Sequence, residues 1–95
     1  MFYVYVLLSQ KDDKFYIGFT GDFKRRLKEH QAGENTSTKS RRPLELIYYE
    51  AHRSKTDAMR REQYFKTTKG KSTLKQILRD SLLHRHNHVA FSAFV

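Results

Sequence analysis

Two short runs rich in aromatic and β-branched residues, joined by a polar turn and followed at once by a basic helical pattern, leave this chain few ways to fold. Phe2-Tyr3-Val4-Tyr5-Val6-Leu7-Leu8-Ser9 alternates and favours extended backbone, so residues 2–9 read as a strand. Ser9-Gln10-Lys11-Asp12-Asp13-Lys14 is polar and turn-prone, and Phe15-Tyr16-Ile17-Gly18-Phe19 reads as a second strand, antiparallel to the first. The side-chain period of two puts Tyr3, Tyr5 and Leu7 on one face, and Tyr16, Gly18 and Thr20 on one face of the partner. A hairpin of these strands places Tyr5 beside Tyr16.

Thr20 or Asp22 can then cap a helix over residues 22–32, and Gly33 is suited to end it. Phe23 and Leu27, one turn apart, face the core. Arg26 and His30 form a second stripe beside them, while Lys24, Arg25 and Lys28 cover the solvent side. Residues 33–43 are polar and end in the only proline, which predicts a long flexible loop. The loop's Lys39-Ser40-Arg41-Arg42 cluster suits contact with phosphate, or is a solvated linker.

Leu44-Glu45-Leu46-Ile47-Tyr48-Tyr49-Glu50-Ala51 is a third strand. Ser54, with Asp57 three residues on, opens a helix over residues 55–68. Ala58, Glu62 and Phe65 share a face of it, with Met59 adjacent. A carboxylate on an apolar stripe is costly unless it has a cation or hydrogen-bonding partner. Gly70 is expected to break the pattern, and Ser72 to cap a third helix carrying Leu74, Ile77, Leu78, Ser81 and Leu82 on its apolar face. Residues 1–83 make the domain and residues 84–95 a tail. In that tail His84, His86 and His88 would share a strand face. With no Cys or nearby carboxylate, they are read as part of the tail and not as a metal site.

Ninety-five residues with 38% apolar content allow one small core, in which seven Phe and six Tyr do much of the filling. The absence of Cys excludes disulfides and thiolate metal sites and fits a cytoplasmic setting. No apolar run approaches the roughly 20 residues of a membrane span, and the apolar start lacks a basic leader and cleavage site. The formal net charge of +9 points to a polyanionic partner, of which nucleic acid is the commonest.

The residues capable of chemistry are two tyrosines, an arginine, a histidine and the oddly placed Glu62. There is no phosphate-cradling glycine loop and no helical His-Glu-x-x-His. Arginine, tyrosine and one carboxylate suit phosphodiester chemistry. Arginine stabilises developing charge, a carboxylate holds Mg²⁺ or Mn²⁺, and a tyrosine can activate water if cationic neighbours lower its pKa from near 10.

Tyr3-Val4-Tyr5, Tyr16-Ile17-Gly18 and the helix from Phe23 to His30 resemble the GIY-YIG nuclease family over roughly residues 2–80, most nearly its small standalone bacterial members. These are related to the N-terminal incision domain of the bacterial nucleotide-excision repair nuclease subunit. The resemblance implies an α+β fold: a small three-stranded antiparallel sheet flanked by about three helices. It implies catalytic roles for Tyr5 and Tyr16, with Tyr3 and Val4 at the family's glycine and isoleucine positions. It implies a further role for Arg26, a basic group at His30, and metal binding at Glu62. Arg25 is the competing choice to Arg26 from the residues alone. Many members carry an Asn beyond the glutamate helix. Here Lys71-Ser72-Thr73-Leu74 stands there, with Thr73 as the substitute.

The resulting expectation is a metal-dependent endonuclease hydrolysing DNA, with RNA as the second choice of nucleic acid, in DNA repair or processing. Lys24, Arg25, Lys39, Arg41 and Arg42 are the expected nucleic-acid contacts, and a protein partner is expected to supply specificity. The alternatives are a nucleic-acid-binding module with the nuclease fold and little cleavage, and a basic assembly factor held to a larger complex.

Overall fold

A computed structural model describes residues 1–84. The elements run β1 (Phe2–Ser9), β2 (Phe15–Thr20), α1 (Phe23–Ala32), a 3₁₀ turn (Lys39–Arg41), β3 (Leu44–His52), α2 (Lys55–Lys66), α3 (Thr68–Ile77) and α4 (Arg79–Leu83). The three strands form one antiparallel sheet in the order β2-β1-β3, so the first strand is central and the hairpin partner lies at an edge. The strands follow the boundaries expected from alternation to within a residue or two.

The two faces of β1 build two cores. Val4 and Val6, with Ile17 of β2, pack against Ala58 and Phe65 of α2 and Leu74 of α3. On the other face Tyr5 and Leu7 pack with Leu27 of α1 and Leu44 of β3, and Tyr16, Phe23 and Leu46 border them. A one-residue slip of the hairpin would exchange these faces, so burial on both sides pins the register at Tyr5 opposite Gly18 and Leu7 opposite Tyr16.

Helix α1 has the expected ends. The Asp22 side chain accepts from the Arg25 N–H, and Gly33 takes the left-handed conformation (φ 77°) that a side-chain-bearing residue resists. Ser54 caps α2 by accepting from the Asp57 N–H.

The C-terminal half departs from expectation in three ways. Gly70 does not break a helix but sits buried in the first turn of α3, where a Cβ would collide with the Tyr64 carbonyl. Its lack of a side chain lets α2 and α3 cross closely. The cap is therefore Thr67, whose hydroxyl accepts from the Gly70 N–H at 3.0 Å, and not Ser72. The chain then bends at Leu78 into a separate fourth helix, which leaves Ile77 44% exposed while Leu78 is buried. Met59, adjacent to the Ala58 face, is exposed.

Residues 33–43 are tied down rather than loose. Ser9 donates to the Arg41 carbonyl at 2.7 Å, the Gln10 N–H donates to the Pro43 carbonyl at 2.8 Å, and Arg41 Nε donates to Asp12 at 2.9 Å. That contact holds the Asp12 carboxyl down to about 2. His84 pairs with Asp80 at 3.5 Å; His86 and His88 lie outside the described residues.

Candidate active site at the sheet rim

The α1 face of the sheet carries a cluster of rings. Tyr5 projects from the central strand and lies over Gly18 of β2, where a Cβ would overlap the phenol, coming within 2.7 Å of its Cε1 atom and closer still to Cζ and the hydroxyl oxygen. The glycine thus makes the room in which the Tyr5 phenol reaches the sheet rim. Tyr16 lies on the same face with its ring centroid 6.4 Å from that of Tyr5, diagonal to it across the ladder. His30, delivered by the last turn of α1, meets both rings edge-on at 5.5 and 5.2 Å.

A hydrogen-bonded chain runs through these groups. The Tyr5 hydroxyl is 2.7 Å from His30 Nε2, and His30 Nδ1 is 2.7 Å from the Thr38 hydroxyl. All three side chains are buried. Burial is the main cause that pushes the Tyr5 phenol well above its ordinary value, with Tyr16 adding to it and Arg26 opposing it. Burial, with the nearby Arg26 charge, drives His30 down to about 4. At neutral pH the phenol keeps its proton and the imidazole is neutral, so Tyr5 donates to Nε2 and Nδ1–H donates to Thr38. Thr38 had no signal in the sequence: it is one hydroxyl in a polar loop, and only the fold brings it under His30.

Arg26 follows from α1 one turn before His30. Its side chain is about one-third exposed and its Nε lies 3.2 Å from Glu29. Its positive charge acts on the Tyr5 phenol, opposing the upward push of burial. Its neighbour Arg25 turns away and pairs with Asp22 at 3.6 Å in solvent. Of the two arginines, Arg26 is the one whose charge reaches the Tyr5 phenol.

Glu62 belongs to α2, which packs on the opposite face of the sheet, yet its carboxylate is among the charges acting on the Tyr5 phenol. The rim position of that phenol explains how a helix from the far face reaches it. The Glu62 side chain is 17% exposed, and its only ion-pair partner among the described residues is Lys66, at 3.4 Å and half-exposed. It is therefore not locked in a buried salt bridge. The half-buried Glu50 is the closely held carboxylate, taking hydrogen bonds from Arg61 (2.9 Å), Tyr48 (2.8 Å) and His52 (3.0 Å). Among the described residues no group of three or more His, Asp or Glu side chains is placed to hold a metal. A lone, lightly held carboxylate instead suits Mg²⁺, which keeps most of its waters and binds through one or two carboxylates and substrate phosphates.

Of the remaining positions, Thr73 is engaged. Its hydroxyl lies 2.6 Å from the Tyr64 hydroxyl and donates to the Lys69 carbonyl, so it faces the α2–α3 contact. Arg41 is held by Asp12 and by the Lys14 and Phe15 carbonyls, and Arg42 Nε donates to the Lys39 carbonyl at 3.1 Å. Lys24 and Lys39 are exposed without an ion pair among the described residues. Among the described residues no helix is long and apolar enough to cross a membrane.

Comparison with known proteins agrees with this fold. A family model described as the GIY-YIG catalytic domain matches residues 1–76. A UPF0213 protein of Staphylococcus haemolyticus, SH2523, is 42% identical over 76 residues, covering 79% of this chain and 92% of that protein. A UPF0213 protein of Limosilactobacillus reuteri is 47% identical over 68 residues, covering 68% and 70%. The solution structure of the UPF0213 protein BH0048 of Bacillus halodurans superposes with a TM-score of 0.52 at 37% identity, over 81% of this chain and 85% of that one. GIY-YIG nucleases generally use divalent metals and act on nucleic acid. With its three-stranded sheet, its four helices and a domain match spanning most of its length, this chain belongs to the GIY-YIG family, among the small bacterial UPF0213 proteins.

Proposed function

We propose that residues 1–83 form a divalent-metal-dependent endonuclease that hydrolyses DNA phosphodiester bonds in a cytoplasmic repair or processing role, with a protein partner adding specificity. The observation that carries this reading is the convergence on one phenol. Tyr5 is hydrogen-bonded to His30 and acted on by Tyr16, Arg26 and Glu62, which arrive from two strands and two helices.

In this reading the Arg26 guanidinium sits against the phosphoryl oxygens and stabilises the charge that develops on them. Tyr16, half-buried at the rim, takes the proton of the attacking water as its own phenolic proton passes to bulk solvent. Tyr5 holds its own proton, which it donates to His30, so toward the attacking water it can only accept through its oxygen lone pair and is not a phenolate base. His30, neutral and bonded to Tyr5, is the next acceptor along the chain, and its basicity rises once a bound phosphate offsets the Arg26 charge. Glu62 would hold one Mg²⁺ or Mn²⁺, which supplies Lewis-acid polarisation of a phosphate oxygen when bound. Lys24, Arg25, Lys39, Arg41 and Arg42 are proposed backbone contacts. Arg41 and Arg42 would act from fixed positions.

Supercoiled plasmid incubated with Mg²⁺ tests the proposal. Nicking by the wild type that is abolished in Glu62→Ala and Arg26→Ala supports it; an intact plasmid, or equal nicking by Glu62→Ala, rejects it. The departure at the family's Asn position, where Thr73 is instead engaged at the helix contact, favours the second reading. That is a binding module whose salt-sensitive attachment to DNA or RNA needs neither metal nor Glu62.

A further inference from the structure

Beside the ring cluster, a groove of about 670 Å³ opens at the N-terminal end of α1, lined by Tyr3, Phe23, Tyr49 and Leu46 with Lys24 and Asp22 at its edge. The three rings are arranged as a stack open to solvent. Tyr3 and Phe23 are parallel with centroids 4.9 Å apart, and Phe23 and Tyr49 are 4.8 Å apart and tilted. Tyr49 is 52% exposed. Tyr3 and Phe23 are half-buried and Phe23 borders the core, so Tyr49 is the ring of the three that is left open to water.

The groove adjoins the candidate site through Tyr5. Tyr49 is the direct partner of Tyr5 across the β1–β3 ladder, and the Phe23 ring lies 5.8 Å from the Tyr5 ring. We infer that the Tyr3–Phe23–Tyr49 groove is a nucleobase subsite, taking one base that lies out of the stack in the nucleotide next to the phosphate held at Arg26. This inference rests on the nuclease reading for the position of that phosphate. A flat aromatic platform accepts the π-face of any base, and a neighbouring lysine suits the adjoining backbone charge. The Asp22 carboxylate, which caps α1, discourages a phosphate within the groove itself and leaves it to an uncharged ring. The substrate class is then DNA with an unpaired nucleotide at the cleaved position, such as negative supercoiling opens in a plasmid, in preference to relaxed duplex.

The test measures binding of a labelled oligothymidylate and of the matching abasic oligonucleotide to the full chain in EDTA, by fluorescence anisotropy. The wild type is expected to bind the base-bearing strand more tightly. Tyr49→Ala should lose on the order of ten- to hundredfold, down to the abasic level, and Tyr49→Phe should keep the affinity. Because Tyr49 is half in solvent, these variants leave the core intact. Equal binding of the two strands by the wild type, or unchanged binding by Tyr49→Ala, overturns the subsite. Self-association of the free protein that Tyr49→Ala abolishes would give the groove to a second copy and overturn it too. Base preference lost while Glu62-dependent nicking persists rejects the groove alone. Base preference kept without Glu62-dependent nicking supports the groove as a binding subsite and rejects the nuclease reading.

Discussion

The Tyr5 hydroxyl and His30 Nε2 are 2.7 Å apart, and neither side chain is exposed to solvent. Such a pair is far more costly to break than to lack, because the surviving partner is stranded away from water. Tyr5→Phe leaves Nε2 without its donor, and the phenyl ring still fills the volume over Gly18. We expect a loss of about 1–3 kcal/mol. Thr38→Val should cost a comparable amount from the other ring nitrogen. Urea unfolding checks both, and unchanged midpoints would show that the chain of hydrogen bonds is not formed in solution.

The same burial sets a pH dependence. His30 is held down to about 4 against an ordinary value near 6.5, so the unfolded chain takes up a proton before the folded one does. The stabilising share of this residue is complete above about pH 6.5 and is lost as pH falls toward 4, by up to on the order of 3 kcal/mol. The charges facing the imidazole are Arg26, which lowers its affinity for a proton, and Glu29, which raises it. Asp12, held near 2, loses its own contribution at lower pH, so the two windows are separable. Histidine titration by NMR should find one imidazole near 4, and a full set of values near 6.5 would contradict the burial described here.

Gly18 should not tolerate a side chain. In Gly18→Ala the methyl group meets the Tyr5 ring, and the phenol must leave its place over the edge strand. A destabilisation of about 1–3 kcal/mol is expected, along with loss of any cleavage. Because the ring carbons collide as well as the hydroxyl, adding Tyr5→Phe will not relieve it, whereas adding Tyr5→Leu should recover much of the stability but not the activity. Thermal melts of the two double variants distinguish the steric account from a simple loss of strand flexibility.

Much of this was legible beforehand because the strands and α1 are specified locally. Alternation over residues 2–9 fixes which residues face α1, and Asp22 and Gly33 mark the ends of that helix by backbone chemistry alone. Tyr5 beside Tyr16, with Arg26 and His30 one turn apart, follows from two periodicities. The C-terminal helices were misread because Gly70 was weighed by its propensity, whereas its place is decided by the passage of α3 across the Tyr64 carbonyl, a tertiary contact. Thr38 under His30, Glu50 with Arg61 and the open stack of Tyr49 all join residues distant in sequence, where neither period carries information.

Lys66 offers a test of Glu62 that does not remove the carboxylate. The two side chains are one turn apart at 3.4 Å, with Lys66 half in solvent. An exposed pair of this spacing is worth about 0.3–0.5 kcal/mol, so Lys66→Ala should leave stability almost unchanged. A cation bound at Glu62 would compete with that ammonium group. Removing it should therefore lower the Mg²⁺ concentration at half-maximal nicking by about twofold, which is the same energy expressed as a ratio. Lys66→Ala also removes a positive charge from a DNA-binding surface, which would weaken substrate affinity, so the titration is run at saturating plasmid. A half-maximal Mg²⁺ concentration that stays the same or rises would place the ion away from Glu62.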